Sequence, residues 1–357
     1  MRARPRLCDD AQDGGPRIGP KIAAVFALLA LIGGAGVAYF ERVYARLAGA
    51  LDRDVVAARE YRWERPVLRG AMGDGNAAED IYAALAEWKP LGPTLRRELA
   101  QRVYYGQALE AQEASALSAR GTALRALRTT VQQRWSRTDL VIERGANMLV
   151  PDYGDFLEAE VALLADAQGR PPEECLQQAI DVIRIGQDLV PFGPLEASSV
   201  ATRVINLATR VIARCALHAE LLVLRKATHE LRVLAEHPAP IGTSLELEEL
   251  AATSELRQRA ALAGKSPVQV IETVFERPQL LAAWSRAGSP ARYRHITAER
   301  YPDAMEEWRR EQDYRSRQSV QAAQAAADVV HGIQDDMRGQ AMLRMACVAV
   351  SALAERA

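Results

Sequence analysis

Residues 22–40 read IAAVFALLALIGGAGVAYF, an uncharged apolar run of nineteen residues near the N-terminus. At about 1.5 Å of rise per residue, a helix of this length spans about 28 Å, close to the thickness of the hydrocarbon core of a bilayer. The run lacks the polar face that a helix on the surface of a soluble protein would have. The sequence therefore predicts a single transmembrane helix over residues 22–40, through which the chain contacts the membrane.

The charges that flank the apolar run predict its orientation. Before the run lie Arg2, Arg4, Arg6, Arg17 and Lys21, and after it lie Arg42, Arg46 and Arg53. Cytoplasmic flanks of membrane helices carry the excess of Lys and Arg. We therefore expect residues 1–21, which lack apolar periodicity, to form a disordered cytoplasmic tail. The rest of the chain then lies outside the cytoplasm, held at the cytoplasmic (inner) membrane by one span.

Two further hypotheses concern the apolar run. The small residues Gly36 and Ala38 could serve as a signal-peptide cleavage site. A retained anchor is favoured, because the run is long for a signal peptide and the charged segment 41–46 follows it directly. Ala30, Gly34 and Ala38 form a small-xxx-small series that would let two spanning helices approach closely. Self-association through the transmembrane helix is therefore a second hypothesis.

Helical periodicity divides the remainder of the chain. Apolar residues recur at helical spacing over 41–60, which predicts an amphipathic stalk. The glycine-rich segment 61–75 predicts a linker or an extended segment that lies against the part of the chain after it. A helical domain is expected over 76–237. The segment HPAPIG at 237–242 is the best internal boundary. A second helical segment, 243–357, is expected to pack on the first.

Within these regions the pattern predicts helices joined by short connections. They include a polar helix over about 110–133, a Leu/Glu-rich helix near 244–262, shorter helices interrupted by Pro267, Pro278 and Pro290, and a charged helix over about 303–330. Residues 137–150 fit either a strand or a packed loop. No segment shows sustained alternation with period two. We therefore predict an all-α protein, an N-terminal single transmembrane helix followed by an antiparallel helical bundle or short helical array.

One hairpin has a recognisable pattern. Residues 157–191 read LEAEVALLADAQGRPPEECLQQAIDVIRIGQDLVP, with a glycine-marked turn at Gly169, an acidic start of the second helix and a closing Pro191. The hairpin resembles a tetratricopeptide-type helical pair, which implies a helical surface that binds proteins. An extra residue lies between Gly169 and Glu173, and no second copy occurs at a period of about 34 residues.

The order of parts also resembles membrane-anchored helical proteins of unknown function. In those proteins, a helix like NAAEDIYAAL (76–85) precedes such a hairpin, and one like AMLRMACVAVSAL (341–353) comes late. This resemblance implies a membrane anchor and no activity.

Composition and charge exclude one class of partner. Charged residues make up 25% and hydrophobic residues 49% of the chain, and the formal net charge is -1. This composition is typical of a globular body with a substantial core. Nucleic-acid binding needs concentrated positive charge, so we expect no nucleic-acid partner.

The sequence predicts no catalytic, cofactor-binding or metal-binding residues. The five histidines form no zinc signature, and His218, which follows Cys215 on an apolar stripe, is expected to be packed rather than a ligand. Four acids cluster at the start of one helix: Asp152, Asp155, Glu158 and Glu160. A glycosidase pair would need two such carboxylates, but a favourable interaction with the helix dipole explains the cluster.

The cysteines allow two arrangements. Cys175 and Cys215 lie on consecutive antiparallel helices in the predicted fold, offset by about 7 Å along the axis. That offset is at the limit for a disulfide, and the number of cysteines outside the tail is odd. We therefore expect small buried thiols, with a Cys175–Cys215 disulfide as the alternative.

The favoured functional hypothesis is a membrane-anchored, non-catalytic scaffold or adaptor of the cell envelope that binds a protein partner there. The alternative is an envelope hydrolase whose carboxylates come from separate helices. A third hypothesis is a regulator that senses an external ligand, but the tail of about twenty residues is too short for an output domain.

Overall fold

One uninterrupted helix, α1 (Pro20–Glu60), contains the apolar run and the amphipathic segment after it. The structure is a computed structural model, and it describes residues 20–70, 72–142, 152–294, 296, 306 and 320–356. Within this part of the chain, α1 is the one helix long and apolar enough to cross a membrane, and none of its most apolar stretch is buried. Large apolar side chains from Val25 to Val37 are 52% to 71% exposed.

The rest of the described chain is mostly helical, as the periodicity predicts. The further helices are α2 (Ala77–Ala86), α3 (Pro93–Tyr105), α4 (Ala111–Ser118), α5 (Gly121–Thr129), α6 (Tyr153–Gln168), α7 (Pro172–Asp188), α8 (Leu195–Ala216), α9 (Leu221–Glu236), α10 (Ile241–Ala260), α11 (Pro267–Ala287) and α12 (Val320–Arg356). Short 3-10 helices cover Thr130–Gln132 and Pro290–Tyr293. The all-α prediction is confirmed.

The second half of α1 is part of the core rather than a free stalk. Leu51, Val55 and Ala58 are buried, and they belong to one apolar cluster with Leu247 of α10 and Leu281 of α11. The apolar spacing that predicts an amphipathic helix over 41–60 thus matches a helix that packs on the body. As a result, the body is attached to the apolar half of α1 without a flexible joint.

The main core lies around α8, which contacts α6, α7 and α12. Phe156, Ile183 and Val204 are fully buried there, one from each of α6, α7 and α8. A Cβ atom added to Gly186 would lie 3.2 Å from Cγ1 of Val204. The absence of a side chain at Gly186 therefore permits the close approach of α7 and α8.

A small sheet that the sequence pattern did not predict crosses the predicted linker. Its strands are β1 (Trp63–Glu64), β2 (Gly73–Asn76) and β3 (Gln133–Ser136), in the order β1-β3-β2. β1 pairs antiparallel and β2 pairs parallel with β3. Strands of two to four residues are too short to show alternation of period two. Residues 61–70 and 72–75 are therefore held by the body as an extended segment.

The predicted polar helix over 110–133 is wrong as a single element, because it breaks between α4 and α5. Arg120 lies at the break and donates hydrogen bonds to the carbonyl oxygens of Lys89 (2.5 Å) and Pro90 (3.0 Å). Gly121 follows it, and glycine weakens a helix by about 1 kcal/mol relative to alanine. The tertiary hydrogen bonds of Arg120 thus replace the continuation of the helix.

Pro278 does not interrupt a helix, contrary to the prediction, whereas Pro267 begins α11 and Pro290 begins a 3-10 helix. A proline inside a helix leaves the carbonyl of the residue four positions earlier without its partner. Here that residue is Val274, which lies on the exposed side of α11. Because water can reach this carbonyl, the packed residues Leu281 and Trp284 keep the helix continuous.

Some predictions fall outside the described residues. The tail 1–21 is described only from Pro20, and the predicted helix over 303–330 only at Glu306 and from Val320, where α12 is helical. Segment 137–150 is described up to Ile142. In that part it forms a packed loop with Leu140 and Ile142 buried, in agreement with one of the two alternatives.

The prediction of small buried thiols is wrong for two of the cysteines, because Cys175 and Cys215 form a disulfide. Their Cα atoms are 6.3 Å apart, within the usual range for such a bond. The close packing of α7 against α8 brings the two side chains together despite their axial offset. Cys347 is a free, half-buried cysteine.

Breaking this disulfide should destabilise the body. The bond closes a loop with a sequence separation of 40 residues, so its loss in Cys215→Ser should lower the free energy of unfolding by about 4 kcal/mol. Chemical denaturation in detergent, followed by circular dichroism without reductant, measures the change. Cys347→Ser is the control and should have a much smaller effect. Equal stability of Cys215→Ser and the wild type would contradict the bond.

Candidate functional site

An open groove of about 800 Å³ lies between β1, the turn that joins α9 to α10, and one face of α12. We call it the β1–α12 groove. It is lined by Trp63, Glu64, Arg232, residues 235–240, Ile296, Gln340, Arg344, Cys347 and Val348. Its volume falls in the range of about 300–1,000 Å³ that is typical of ligand sites.

Two prolines shape the turn that forms one wall. α9 ends at Glu236, where the backbone N–H of His237 donates to the carbonyl of Val233 at 3.0 Å. Pro238 and Pro240 follow, and a proline has no N–H with which to continue a helix. Ala239, between them, is buried, whereas both prolines are half-buried and line the groove. The segment HPAPIG, predicted as an internal boundary, is thus one wall of the candidate site.

The α12 wall follows from helical spacing. Gln340, Arg344 and Val348 are four residues apart and therefore lie on one face of the helix. The other side of α12 carries Leu343 and Val350, which are buried in the main core. Core packing therefore determines which face of α12 lines the groove.

The β1 wall is held by a buried ion pair. Trp63 packs on an apolar cluster that includes Val190 and Ala239. Two residues later, the guanidinium of Arg65 lies 2.7 Å from Oδ2 of Asp188 at the end of α7, and both side chains are fully buried. Arg65 also donates to the carbonyl oxygen of Thr130 at 2.9 Å. These contacts hold β1, and with it Trp63, at the edge of the groove.

The groove offers two guanidinium groups that have no partner in the described part of the chain. Arg232 of α9 and Arg344 of α12 are both exposed, and neither has a carboxylate within 4.0 Å or a side-chain hydrogen bond among the described residues. The lining also carries two carboxylates, those of Glu64, which lies 4.0 Å from Arg134, and of Glu236. The site therefore combines an apolar surface with two cations available for an acidic group.

Behind this groove lies a buried network of charges. Burial raises the pKa of Asp188 to about 6 and lowers that of Arg184 to about 10, in spite of their mutual attraction. Burial also raises the pKa of Glu160 well above its ordinary value, and the negative charge of Asp188 adds to the shift. Neither carboxyl oxygen of Glu160 has a hydrogen-bond partner in the described structure. Ionised Glu160 is therefore strongly disfavoured in the folded state.

A second set of charges ties the segment between β1 and β2 to the helices. The guanidinium of Arg69 contacts Asp181 of α7 and lies 3.1 Å from Oε1 of Glu230 of α9. Glu230 in turn accepts a hydrogen bond from Gln177 at 3.1 Å. One arginine thus links two helices with the segment that follows β1.

The acid cluster at the start of α6 has three different roles. Asp152 caps the helix and accepts a hydrogen bond from the N–H of Gly154 at 2.8 Å, in agreement with the explanation from the helix terminus. Glu158 accepts hydrogen bonds from Trp88 (3.2 Å) and Arg96 (2.6 Å), so it joins α6 to the α2–α3 region. Glu160 and Asp188 come from separate helices, as the hydrolase alternative needs, but both are 0% exposed.

The histidines do not converge. His218 is exposed in the turn after α8, so the prediction of a packed histidine is wrong. It does not share a helix with His229, because α8 ends at Ala216 and α9 begins at Leu221. Among the described residues, no group of three or more His, Cys, Asp or Glu could hold a metal ion. His295 lies outside them.

Sequence reasoning missed the residues of the groove. Trp63, Arg232 and Arg344 are far apart in the chain: the packing of α9 against α12 brings the two arginines together, and the contacts of β1 add Trp63. One local signal was present: two prolines that flank a buried alanine at 238–240 mark a rigid turn between two helices.

No protein-family profile, no curated protein and no solved structure matches this chain. The helices α6 and α7 do form a hairpin, but its resemblance to a tetratricopeptide-type pair stays a prediction. Function therefore has to be inferred from the groove and from helix α1.

Replacing Glu160 with a residue that cannot ionise should stabilise the protein at neutral pH. Below its ordinary pKa of 4.5, Glu160 is protonated in both the folded and the unfolded state. As the pH rises above this value, the unfolded state ionises first and gains stability, so the folded protein loses stability until its own raised pKa is reached. Glu160→Gln should therefore have a higher free energy of unfolding than the wild type at pH 7.5, with the difference shrinking towards pH 4.

Denaturation at a series of pH values measures this difference. Glu173→Gln is the matched control, because Glu173 is an exposed glutamate on the neighbouring helix α7. A stability difference between Glu160→Gln and the wild type that does not change with pH would contradict the account of Glu160.

Proposed function

We propose that this chain is a membrane-anchored helical scaffold of the cell envelope. In this proposal, the apolar half of α1 spans the cytoplasmic membrane once and residues 41–357 lie on the outer side. The β1–α12 groove binds a segment of a partner protein and catalyses no reaction on it. The partner segment is extended and combines apolar residues with at least one carboxylate.

The exposed apolar surface of α1 supports the membrane anchor. Its side chains from Val25 to Val37 point away from the body, and none of the most apolar stretch is buried. Burial of apolar surface contributes about 25 cal/mol per Å², so a helix left this apolar in water would carry a large cost. A bilayer removes that cost along the whole length of the run.

The disulfide supports the proposed orientation. Disulfides persist in oxidising compartments and are rare in the cytoplasm. Cys175 and Cys215 are bonded in the body, on the C-terminal side of α1. This agrees with the excess of basic residues before the apolar run, which places the tail in the cytoplasm.

The composition of the groove is the observation that carries the binding proposal. Trp63, Ile296 and Val348 provide apolar contacts, and Arg232 and Arg344 provide cations without carboxylate partners among the described residues. Tryptophan and arginine are enriched at the energetic centres of protein interfaces. An arginine binds a carboxylate through two parallel hydrogen bonds, which gives direction as well as affinity.

The burial of the perturbed acids favours binding over hydrolysis. A general acid must come within hydrogen-bond distance of its substrate. Glu160 and Asp188 have raised pKa values, but both side chains are enclosed by the body and neither lines the groove. A binding role needs only the exposed side chains of the groove and does not involve these buried acids.

Reversing the charge of the groove should abolish binding of acidic peptides. The detergent-solubilised full chain is used to select ligands from a displayed peptide library. Affinity of a selected peptide is then measured by fluorescence anisotropy. We expect selected peptides to combine Asp or Glu with apolar residues, and Arg232→Glu and Arg344→Glu each to weaken binding at least tenfold, or by about 1.4 kcal/mol.

Arg225→Glu is the matched control. Arg225 is an exposed arginine on α9, like Arg232, but it does not line the groove. Affinity should also fall with added salt, since the cations are exposed. Selected peptides without acidic residues, or equal loss of affinity in all three variants, would contradict the proposal.

A further inference from the structure

The helix α11 carries an apolar surface that the body does not cover. Val268, Ile271, Val274 and Phe275 are 66%, 60%, 44% and 79% exposed. With about 100° per residue, these four side chains fall in a sector about 120° wide. The buried residues Thr273 and Arg277 lie on the side towards α1 and α10, and Glu272 and Glu276 lie on the remaining side. The N-terminal half of α11 is thus amphipathic beyond what its packing on the body needs.

The contacts between α11 and α1 determine which way this surface points. Arg277 pairs with Glu41 at 2.6 Å, the rings of Trp284 and Tyr44 are 5.8 Å apart, and Ser289, just after α11, lies 3.2 Å from Asp54. From one contact to the next, the residue numbers rise in both segments, so α11 and α1 run in the same direction. Residues before Arg277 therefore extend past Glu41 towards the apolar run of α1.

The distances are sufficient to reach a bilayer. Glu41 is the first charged residue after the apolar run. At about 1.5 Å per residue, Phe275 lies about 3 Å and Val268 about 13 Å beyond the level of Arg277 towards that run. An amphipathic helix at a membrane surface buries its apolar face about 5–10 Å into the boundary between headgroups and acyl chains. Along α11, the exposed sector extends over a comparable distance, from about 3 Å to about 13 Å beyond Arg277.

The preceding turn lies at the same end of the body. α10 runs antiparallel to α1. Near the start of α10, Glu246 pairs with Arg294, whose guanidinium stacks over Tyr61, just after the end of α1. Near the end of α10, Arg257 pairs with Asp52, which comes earlier in α1. The turn after α10 is therefore on the side of the body nearer to the apolar half of α1. Lys265 in this turn donates hydrogen bonds to the carbonyl of Arg259 and to Thr273 (2.8 Å), which joins the turn to α11.

The geometry points to a second membrane contact: the N-terminal half of α11 lies in the outer leaflet, with Val268, Ile271 and Phe275 among the acyl chains. Glu272 and Glu276 lie on the adjoining side of α11, and Glu276, within about 2 Å of the level of Arg277, is at the headgroups. The contact rests on the proposed anchoring by α1, and it holds the body in one orientation above the bilayer. The lipid bilayer is the occupant because this apolar sector continues the exposed apolar surface of α1 at the same end of the molecule.

Site-directed spin labelling of the full chain in phosphatidylcholine–phosphatidylglycerol vesicles tests this inference. The background carries Cys8→Ser and Cys347→Ser, and the bonded pair Cys175–Cys215 is left unreduced. Single labels are attached through Leu29→Cys, Ile271→Cys, Phe275→Cys and Glu276→Cys, all at exposed positions. The readout is the ratio of collisions with oxygen, which concentrates in the bilayer, to collisions with a water-soluble nickel chelate.

We expect a ratio above one for the labels at positions 29, 271 and 275 and below one at position 276. A ratio above one at 29 with ratios below one at 271 and 275 would overturn the contact of α11 and leave the anchor intact. A ratio below one at 29 would instead overturn the anchor. Spin–spin broadening at 271 and 275 that disappears on dilution with unlabelled protein would assign this surface to a second copy of the chain, and would also overturn the inference.

Discussion

The structure depends on the continuity of α1, which joins an exposed apolar half to a half that is buried in the core. Its first half exposes large apolar side chains, and its second half buries Leu51, Val55 and Ala58 in the core. A single helix without a break keeps its two halves in a fixed relative orientation, since bending it would cost backbone hydrogen bonds. The arrangement of α10 and α11 around α1 therefore determines which end of the body faces the apolar segment, and the β1–α12 groove lies on a body with a defined orientation.

Buried charges attach the irregular backbone between α1 and α2 to the helical core. In the segment between α1 and α2, Arg65 and Arg69 pair with acids of α7 and α9 and hold the backbone against these helices. Removing one member of a buried pair leaves an uncompensated charge and costs about 3–5 kcal/mol. Such contacts add little net stability in comparison with apolar packing, but they permit few alternative positions of the chain. Trp63 at the groove is placed by this constraint.

Features set by local pattern could be predicted from the sequence, and features set by distant contacts could not. Helical periodicity correctly indicated α1, α7 and α8, and asparagine is a preferred N-cap residue, as Asn76 is for α2, where it accepts a hydrogen bond from the N–H of Ala78. The break at Arg120 depends on carbonyl groups about thirty residues away in the chain, and the pairing of Trp63 with Ser136 joins strands too short to show a pattern. The disulfide and the groove likewise follow from helix–helix packing, on which the spacing within one helix carries no information.

Membrane topology is the central claim, and labelling of cysteines in intact cells tests it most directly. Two variants that both carry Cys347→Ser are used: one keeps the native Cys8, and the other carries Cys8→Ser with Leu222, exposed on α9, replaced by cysteine. A membrane-impermeant maleimide is added from outside, with permeabilised cells for comparison. The account predicts that the cysteine at position 222 reacts in intact cells, that the native Cys8 in the tail reacts only after permeabilisation, and that the full chain stays with the membrane after carbonate extraction. Labelling of Cys8 but not of position 222 in intact cells, or recovery of the full chain in the aqueous fraction, would contradict it.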